Sequence, residues 1–401
     1  MEIKFVCDYL DDIKGSANMK LTVQVPQGVL ATFYWADERA NELEEYLAIK
    51  SIPLVGGIGE YVTNKDLMIP EKARKIRCRV FKDTMKEIEL PELVIDIPEE
   101  KLWKPSGKLL KKYVAASDIH CGGEYFNNKE NRITAFSRIR DIRPDGVLIS
   151  GDIGNDARSH EYDQAFEMIE EYLKGIPVYV SAGNHDYHPY MEGSVANIPK
   201  MAEFFGAVAK RNVQLGEKCS SPSDRNTYDG TLSSSQVLVL NPCREDDRAF
   251  YGEEQLRWID EKLSQSDGER FRFLVTHMPQ NNTVSCSFEK MGKLLFVGDG
   301  DKLQEIIDRH KNIVHVSGHT HYDFDSDGLN TKFDDKTTSL YINAGCIVWC
   351  GVEFNQRREY YIKDRCTAQL IEVYEDCLII RGIELVSGKF VSRCLHRALT
   401  M

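Results

Sequence analysis

The sequence predicts an α/β fold in its larger part, preceded by a smaller all-β domain. Two observations carry this prediction. Short alternating apolar runs punctuated by prolines fill the first hundred residues, whereas from Tyr113 onward short apolar strands alternate with amphipathic helices. The 401 residues, 42% hydrophobic and 28% charged, suffice for two globular domains with a sizeable core. We therefore expect one domain at residues 1–106 and a second at residues 107–401.

The N-terminal region has the alternation of half-buried strands. Leu21, Val23 and Val25 alternate with polar residues, and the run 75–80 alternates cationic with apolar side chains. This period of two is typical of antiparallel strands that bury one face. We expect a β-sandwich of the immunoglobulin or fibronectin type, joined to the next domain by a linker at residues 103–108. No catalytic cluster stands out here, which favours a structural role.

Composition excludes several classes of protein. The net charge is −12, and an acidic surface does not displace the counterions of DNA or RNA, so non-specific nucleic-acid binding is not expected. The sequence has neither an apolar run of about 18 residues for a membrane span nor a recognisable secretory signal at its start. Eleven cysteines without a CxxC pair indicate reduced thiols and a cytoplasmic location. The sequence leaves the oligomeric state open.

The candidate strands of the larger part are short apolar runs. In chain order they are residues 114–117, 146–150, 177–181, 236–240, 273–276, 313–317 and 340–343, followed by 368–373 and 378–383. Between them, apolar residues recur at helical spacing in the segments 166–173, 256–263 and 303–307. Such alternation implies crossover connections and a largely buried sheet.

Polar clusters follow five of these strands directly. They are Ser117–His120, Gly151–Asp152, Gly183–Asp186, His277 and Ser317–His321. One such cluster alone is typical of a turn or a helix cap, but an ordered set of five after apolar runs indicates a site at one rim of a sheet. Imidazole and carboxylate groups suit borderline divalent ions such as Mn, Fe and Zn.

The order D-x-H, G-D, G-N-H-D, H and G-H-x-H resembles the calcineurin-like metallophosphoesterase family, and all five blocks lie within about 114–321. The resemblance implies a four-layer α-β-β-α sandwich, with two sheets face to face between helices, and a centre of two divalent or transition metal ions (Mn, Fe or Zn). The implied ligands are Asp118, His120 and His321 for the first metal, Asn184, His277 and His319 for the second, and Asp152 as the bridge.

The resemblance also implies a reaction. A hydroxide bridging the two metals would attack phosphorus in line, while His185, held by Asp186, would protonate the leaving oxygen. We therefore expect a metal-dependent phosphoric ester hydrolase whose partner is a small phosphate ester, either a phosphomonoester or a small phosphodiester. A nuclease or nucleotidase, and a non-catalytic metal-binding scaffold with the same fold, are the alternatives.

Two local departures from the motifs of related phosphatases refine this expectation. Protein Ser/Thr phosphatases carry G-D-x-x-D-R-G, which the run 151–158 does not match, so protein phosphatase activity is not expected. Purple acid phosphatases place Tyr three residues after the bridging Asp, where Asn155 stands, so a tyrosinate–iron centre is not expected.

The acidic run 323–334 resembles a calcium-binding loop, but Asp334 takes the place of the final Glu and predicted strands flank it, which favours a solvated loop.

Overall fold

The computed structural model describes residues 2–63, 67–82, 86–87, 90, 93–122, 129–187, 195–220, 228–232, 235–242, 249–265, 271–288, 298–324, 330–354, 357–362 and 365–399. The chain forms two compact units. The first comprises Met1–Lys108, Tyr374–Ile383 and Gly388–Arg397, and the second comprises Leu109–Val373, Glu384–Ser387 and Ala398–Met401. Within the described part, no helix is long and apolar enough to cross a membrane.

Two antiparallel sheets form the first unit. Its strands are β1 Lys4–Tyr9, β2 Met19–Gln24, β3 Leu30–Ala36, β4 Lys50–Pro53, β5 Ile58–Val62, β6 Lys75–Phe81 and β7 Leu93–Asp96, and a 3-10 turn follows at Glu99–Lys101. The sheet orders are β1-β2-β5 and β4-β3-β6-β7. Every second residue of β2 and β6 is buried, as a period of two requires. These residues join Phe33 and Trp35 in one core. The antiparallel sheets support the expected all-β domain, and the β-sandwich of the immunoglobulin or fibronectin type stays a prediction.

The C-terminal part of the chain adds strands to the first unit. Here the chain forms β21 Cys377–Glu384 and β22 Lys389–Leu399, most of which belongs to the first unit. The reason is backbone pairing within that unit: the N–H of Phe390 donates to the Glu45 carbonyl at 2.8 Å, and the N–H of Met68 donates to the Leu395 carbonyl at 2.9 Å. No local pattern in the sequence predicts these hydrogen bonds, because their partners are far apart along the chain.

Two large sheets and a two-stranded sheet form the described part of the second unit. Its remaining strands are β8 Leu109–Ala116, β9 Gly146–Ser150, β10 Val178–Ser181, β11 Cys219–Ser220, β12 Tyr228–Leu232, β13 Ser235–Val239, β14 Arg272–Val275, β15 Ile313–Ser317, β16 Thr331–Asp334, β17 Ser339–Asn343, β18 Cys350–Phe354, β19 Arg357–Ile362 and β20 Thr367–Tyr374. One large sheet contains the run β10-β9-β8-β20, the other has the order β11-β12-β13-β14-β15-β17-β16, and β18 pairs with β19. The pairings β8–β9–β10 and β13–β14–β15–β17 are parallel. These strands read as apolar runs because both faces of a parallel sheet are covered.

The second unit also contains helices. They are α1 Lys129–Ile142, α2 Ser159–Tyr172, α3 Asn184–Tyr187, α4 Ile198–Gln214, α5 Gly252–Gln265 and α6 Gly300–Arg309. The Asn212 amide of α4 accepts from the N–H of Val178 in β10 and donates to its carbonyl. Apolar residues of α5 and α6 form one core cluster with Leu274 of β14. The rings of Tyr113 in β8 and Phe273 in β14 meet edge-on at 5.1 Å, so the two sheets are in contact at this point, and the four-layer arrangement that the resemblance implies stays a prediction.

The acidic run 323–334 is only partly within this description, because residues 325–329 lie outside the described residues. Asp323 at its start is buried and lies 3.1 Å from the guanidinium of Arg365. This carboxylate is therefore engaged in an ion pair, and the solvated loop that the sequence favours over a calcium site stays a prediction.

His315 in β15 is a histidine enclosed by the core. Its side chain is fully buried, its Nε2 lies 2.9 Å from the Thr276 hydroxyl, and its ring contacts Tyr341 at 5.8 Å. Burial lowers the pKa of His315 to about 3. In the unfolded chain the same group titrates near its ordinary pKa of about 6.5. Between these values the unfolded state binds one more proton, so this residue makes stability fall as the pH falls.

We expect His315→Leu to remove this loss of stability at low pH. From about pH 6 to pH 4, the free energy of unfolding of the wild type should fall by about 1.4 kcal/mol more per pH unit than that of the variant. Urea denaturation at fixed pH values measures both slopes, with His160→Leu, at an exposed position, as the control. Equal slopes for His315→Leu and the wild type would contradict a neutral buried imidazole.

Candidate metal centre

The predicted site residues lie on five loops at the carboxyl ends of strands. Asp118 and His120 follow β8, Asp152 follows β9, Asn184, His185 and Asp186 follow β10, His277 follows β14, and His319 and His321 follow β15. Because β8, β9 and β10 are parallel neighbours, as are β14 and β15, their exits share one edge of each sheet.

Hydrogen bonds between the strand exits join these two edges. The Ser117 hydroxyl donates to the Ser150 carbonyl at 2.7 Å, and the Ser150 hydroxyl donates to the Thr276 carbonyl of the other sheet. The N–H of Gly318 donates to the His277 carbonyl at 2.9 Å. The loops are therefore fixed relative to one another by bonds that do not involve their ligand side chains.

Four buried residues form the first group of possible ligands. Asp118, His120, Asp152 and His321 each offer one atom, and these atoms all lie within 4.8 Å of one another. Nε2 of His321 is 2.8 Å from Oδ1 of Asp118 and 3.3 Å from Nε2 of His120. Nε2 of His120 is 3.6 Å from Oδ2 of Asp152.

A second group shares Asp152 with the first. Atoms of Asp152, His277 and His319 lie within 4.8 Å of one another, and Nε2 of His277 is 3.2 Å from Oδ2 of Asp152. Oδ1 of Asn184 lies 3.0 Å from Nε2 of His277 and 2.9 Å from Nδ1 of His319. The structure thus brings together all seven residues that the sequence predicts as ligands, in two groups with one carboxylate in common.

The donor atoms face one another in a way that fits metal ions. Oδ1 of Asp118 is fully buried and has no hydrogen-bond partner in the described part of the chain, although Nε2 of His321 is near. Atoms bound at about 2 Å to one ion lie about 3–3.5 Å apart, which is the spacing of the imidazole nitrogens of His120 and His321. Imidazole and carboxylate donors suit Mn, Fe and Zn.

Both carboxylates of the centre are held ionised. Burial raises the pKa of Asp118, but the His321 imidazole outweighs it and brings this pKa to about 2. Burial likewise opposes ionisation of Asp152, yet His277 holds the pKa of this carboxyl well below its usual range. In return, the pKa of His277 reaches about 9 because Asp152 outweighs burial. In the metal-free protein, a proton on His277 thus balances charge that a cation would otherwise balance.

Two other imidazoles of the centre are neutral. Burial lowers the pKa of His120 and that of His319 to about 3. Neutral imidazole and ionised carboxylate are the states that bind metals. Most of the centre therefore stands in its metal-binding protonation state near neutral pH.

Five of the seven residues have a left-handed backbone. Their φ values are 56° at Asp118, 45° at His120, 51° at Asp152, 66° at His319 and 54° at His321. Such a conformation costs a non-glycine residue about 1 kcal/mol or more and persists where surrounding structure imposes it, commonly at functional sites. The fold therefore accepts local strain in order to direct these side chains inward.

The glycines of two motifs are required by close approach. A Cβ on Gly151, whose φ is 83°, would overlap the His277 imidazole, and a Cβ on Gly183 would overlap the carboxylate and backbone of Asp152. This contact explains why glycine precedes Asp152 in one motif and Asn184 in the other.

His185 stands beside the cluster and is in neither of the two ligand groups found among the described residues. Its ring meets that of His120 edge-on at 4.6 Å, and its Nδ1 lies 2.9 Å from the Asn155 carbonyl. Its N–H donates to Oδ1 of Asp152 at 2.9 Å. His185 is only half-buried, so solvent reaches the centre on its side.

The contacts of Asp186 assign it a part that the sequence does not predict. Its carboxylate accepts hydrogen bonds from the Tyr162 hydroxyl and from the N–H groups of Ile153, Gly154 and Gly183. Burial, together with the charge of Asp152, raises the pKa of Asp186 to about 6. Asp186 thus fixes the loops after β9 and β10. Nδ1 of His185 contacts the Asn155 carbonyl, and the hold of Asp186 on His185 stays a prediction.

The sequence also misses Cys346 and Trp349, which lie against His321. Sγ of Cys346 is 3.2 Å from Nδ1 of His321, and the Trp349 indole lies over the imidazole at 4.0 Å with a tilt of 33°. Burial raises the pKa of the Cys346 thiol well above its usual range, so the thiol stays protonated. Their position in the sequence could have indicated them, because both residues follow the carboxyl end of β17, the parallel neighbour of β15.

Comparison with known proteins agrees with this geometry. The family model for calcineurin-like phosphoesterases matches residues 111–323, which is more than half of the chain. The protein belongs to this family, as the sequence motifs indicate.

Two relatives share about half of the chain. A protein of Synechococcus sp. named "probable cyclic nucleotide phosphodiesterase" is 25% identical over 210 residues, covering 51% of this chain and 69% of that protein. Human acid sphingomyelinase-like phosphodiesterase 3b is 22% identical over 234 residues, covering 51% of this chain and 49% of that protein. The chain thus spans about half the length of the human relative.

A solved structure supports the fold over nearly the whole chain. The purple acid phosphatase from yellow lupin (Lupinus luteus) seeds superposes with a TM-score of 0.51 at 12% identity, covering 97% of this chain and 72% of that one. At this identity the likeness concerns the fold, and it supports a metallophosphoesterase fold of mixed α/β sheets.

Gly183→Ala should damage the centre without unfolding the protein. The added methyl group would displace the Asp152 carboxylate that the two groups share. We expect a clear loss of bound metal, measured by elemental analysis after loading with Mn²⁺, with little change in the circular dichroism spectrum. Gly206→Ala in α4, where a Cβ meets nothing within 4 Å, is the control. Equal metal content in both variants would contradict the close contact.

Proposed function

We propose that the protein is a phosphoesterase that uses two divalent transition ions, Mn, Fe or Zn, to hydrolyse a small phosphodiester. One observation carries the proposal: two groups of donor atoms that share Asp152. Membership of the calcineurin-like phosphoesterase family supports the class of reaction. The phosphodiesterase names of the two relatives favour a diester, and a phosphomonoester is the alternative substrate.

In this proposal the two groups hold one ion each. The first ion would be held by Asp118, His120 and His321, the second by Asn184, His277 and His319, and both by Asp152. When bound, the two ions would lower the pKa of a shared water and stabilise negative charge on the phosphate oxygens.

We assign the proton of the leaving group to His185. Because its Nδ1 lies at the Asn155 carbonyl, proton exchange falls to Nε2. The position of His185 at the edge of the centre, half-buried and beside His120, suits a group that meets substrate arriving from solvent. Histidine is the side chain that most often acts as a general acid or base in enzymes.

Two alternatives have less support. A non-catalytic metal-binding scaffold would need the ligand residues but not His185, which lies outside both ligand groups and beside His120. A nuclease acting on long chains would profit from a basic surface, whereas this chain carries a net charge of −12.

Metal-loaded protein should hydrolyse bis(4-nitrophenyl) phosphate faster than 4-nitrophenyl phosphate. The proposed diester preference predicts the order, and EDTA should abolish both reactions until Mn²⁺ is restored. Release of 4-nitrophenol measures the rates. Faster turnover of the monoester would reverse the assignment of substrate, and no hydrolysis of either ester after loading with Mn, Fe or Zn would favour the scaffold.

His185→Ala should retain both metals and lose most of its turnover. General acid catalysis is typically worth about 10²–10⁴-fold, so we expect a fall in kcat of that size with unchanged metal content. His160→Ala, at an exposed position in α2, is the control. A variant with wild-type kcat and intact metal would remove His185 from this role.

A further inference from the structure

We propose that Cys346 is a positioning residue of the metal centre, whose thiol orients the His321 imidazole with the help of Trp349. The inference rests on the proposed function, since it concerns a ligand of the proposed ions. Both residues lie beyond the segment 111–323 that defines the family match, so they add a support that the motifs do not describe.

The thiol of Cys346 bridges two proposed ligands of the same ion. Its Sγ lies 3.2 Å from Nδ1 of His321 and 3.7 Å from the carbonyl oxygen of Asp118. A thiol has one hydrogen to donate and sulfur lone pairs that accept weakly. With S–H directed to the Asp118 carbonyl, the sulfur accepts the Nδ1–H of His321. The side chain is fully buried, so bulk water does not compete for these bonds.

This arrangement selects the tautomer that can bind a metal. A proton on Nδ1 of His321 leaves the lone pair on Nε2, the atom that lies 2.8 Å from Asp118 and 3.3 Å from His120. In metal sites, the second nitrogen of a ligand histidine usually donates to an oxygen. His277 in the other group follows that rule, with its Nδ1 2.7 Å from the Ser150 carbonyl. The two groups therefore differ, because sulfur takes the place of oxygen at His321.

Trp349 and the backbone around it fix the plane of the ring. The indole covers the imidazole at a centroid distance of 4.0 Å. On either side, the N–H of Ile347 donates to the Ser117 carbonyl at 3.0 Å and the N–H of Gly351 donates to the His321 carbonyl. The chain after β17 is thus bonded to the loops after β8 and β15, two of the three that carry the first group.

Three substitutions separate orientation from packing. Cys346→Ala removes the thiol, Cys346→Ser keeps a group that can donate and accept, and Cys350→Ala is the matched control. Cys350 is equally buried in the same apolar cluster, but its thiol contacts the Thr367 hydroxyl at 3.5 Å. If Cys346→Ala does not fold, Cys346→Val fills the space of the thiol without its hydrogen bonds and replaces it in the comparison.

The measurement is calorimetric titration of the metal-free full chain with Mn²⁺. We expect Cys346→Ala to bind one of two ions about 10- to 100-fold more weakly and the other unchanged, Cys346→Ser to recover most of the loss, and Cys350→Ala to match the wild type. A wild-type isotherm for Cys346→Ala would overturn the inference. So would an equal loss in Cys350→Ala, or no recovery in Cys346→Ser, since either points to packing alone.

A second readout follows the indole. Mn²⁺ bound by His321 should quench the fluorescence of Trp349, so Trp349→Phe should lose this quenching, and Cys346→Ala should need about 10- to 100-fold more Mn²⁺ to reach it. Quenching at the same Mn²⁺ concentration in Cys346→Ala and the wild type would overturn the inference. A wild type that binds no Mn²⁺, Fe²⁺ or Zn²⁺ would instead overturn the proposed function, so the two failures are distinguishable.

Discussion

The ionised carboxylates of Asp118 and Asp152 in the interior are the constraint on which the site depends. Burying a charge is costly unless an opposite charge lies close to it, and both residues are almost fully buried. The surrounding imidazoles supply that charge in part, through the proton on His277. The close glycines and the left-handed backbones of five ligand residues bring cation-binding groups to these two side chains.

The sequence predicts much of this centre because its information is local. Each ligand follows an apolar strand within a few residues, as His319 follows the run of β15, and parallel neighbours bring such exits together. Contacts that join distant segments leave no such mark. Three contacts depend on proximity in the folded structure alone. They join the Asn155 carbonyl to His185, the Cys346 thiol to His321, and the N–H of Phe390 to the Glu45 carbonyl.

Asn155 shows how a departure in sequence can leave a structural function intact. It stands where purple acid phosphatases carry Tyr, although one of these enzymes shares the fold. The group that contacts His185 is the backbone carbonyl of Asn155, which any residue provides. The Asp186 carboxylate accepts hydrogen bonds from the N–H groups of Ile153 and Gly154 and holds this loop in place, so the contact with His185 does not depend on the side chain at position 155.

The hydrogen bonds that join the strand exits run from serine hydroxyls and backbone groups to carbonyls. Since none of them needs an ion, the polypeptide can finish folding before its cofactors arrive. Which metal ions occupy the site then depends on their availability and on the chemistry of the ligands. One ion can be exchanged for another without unfolding of the chain.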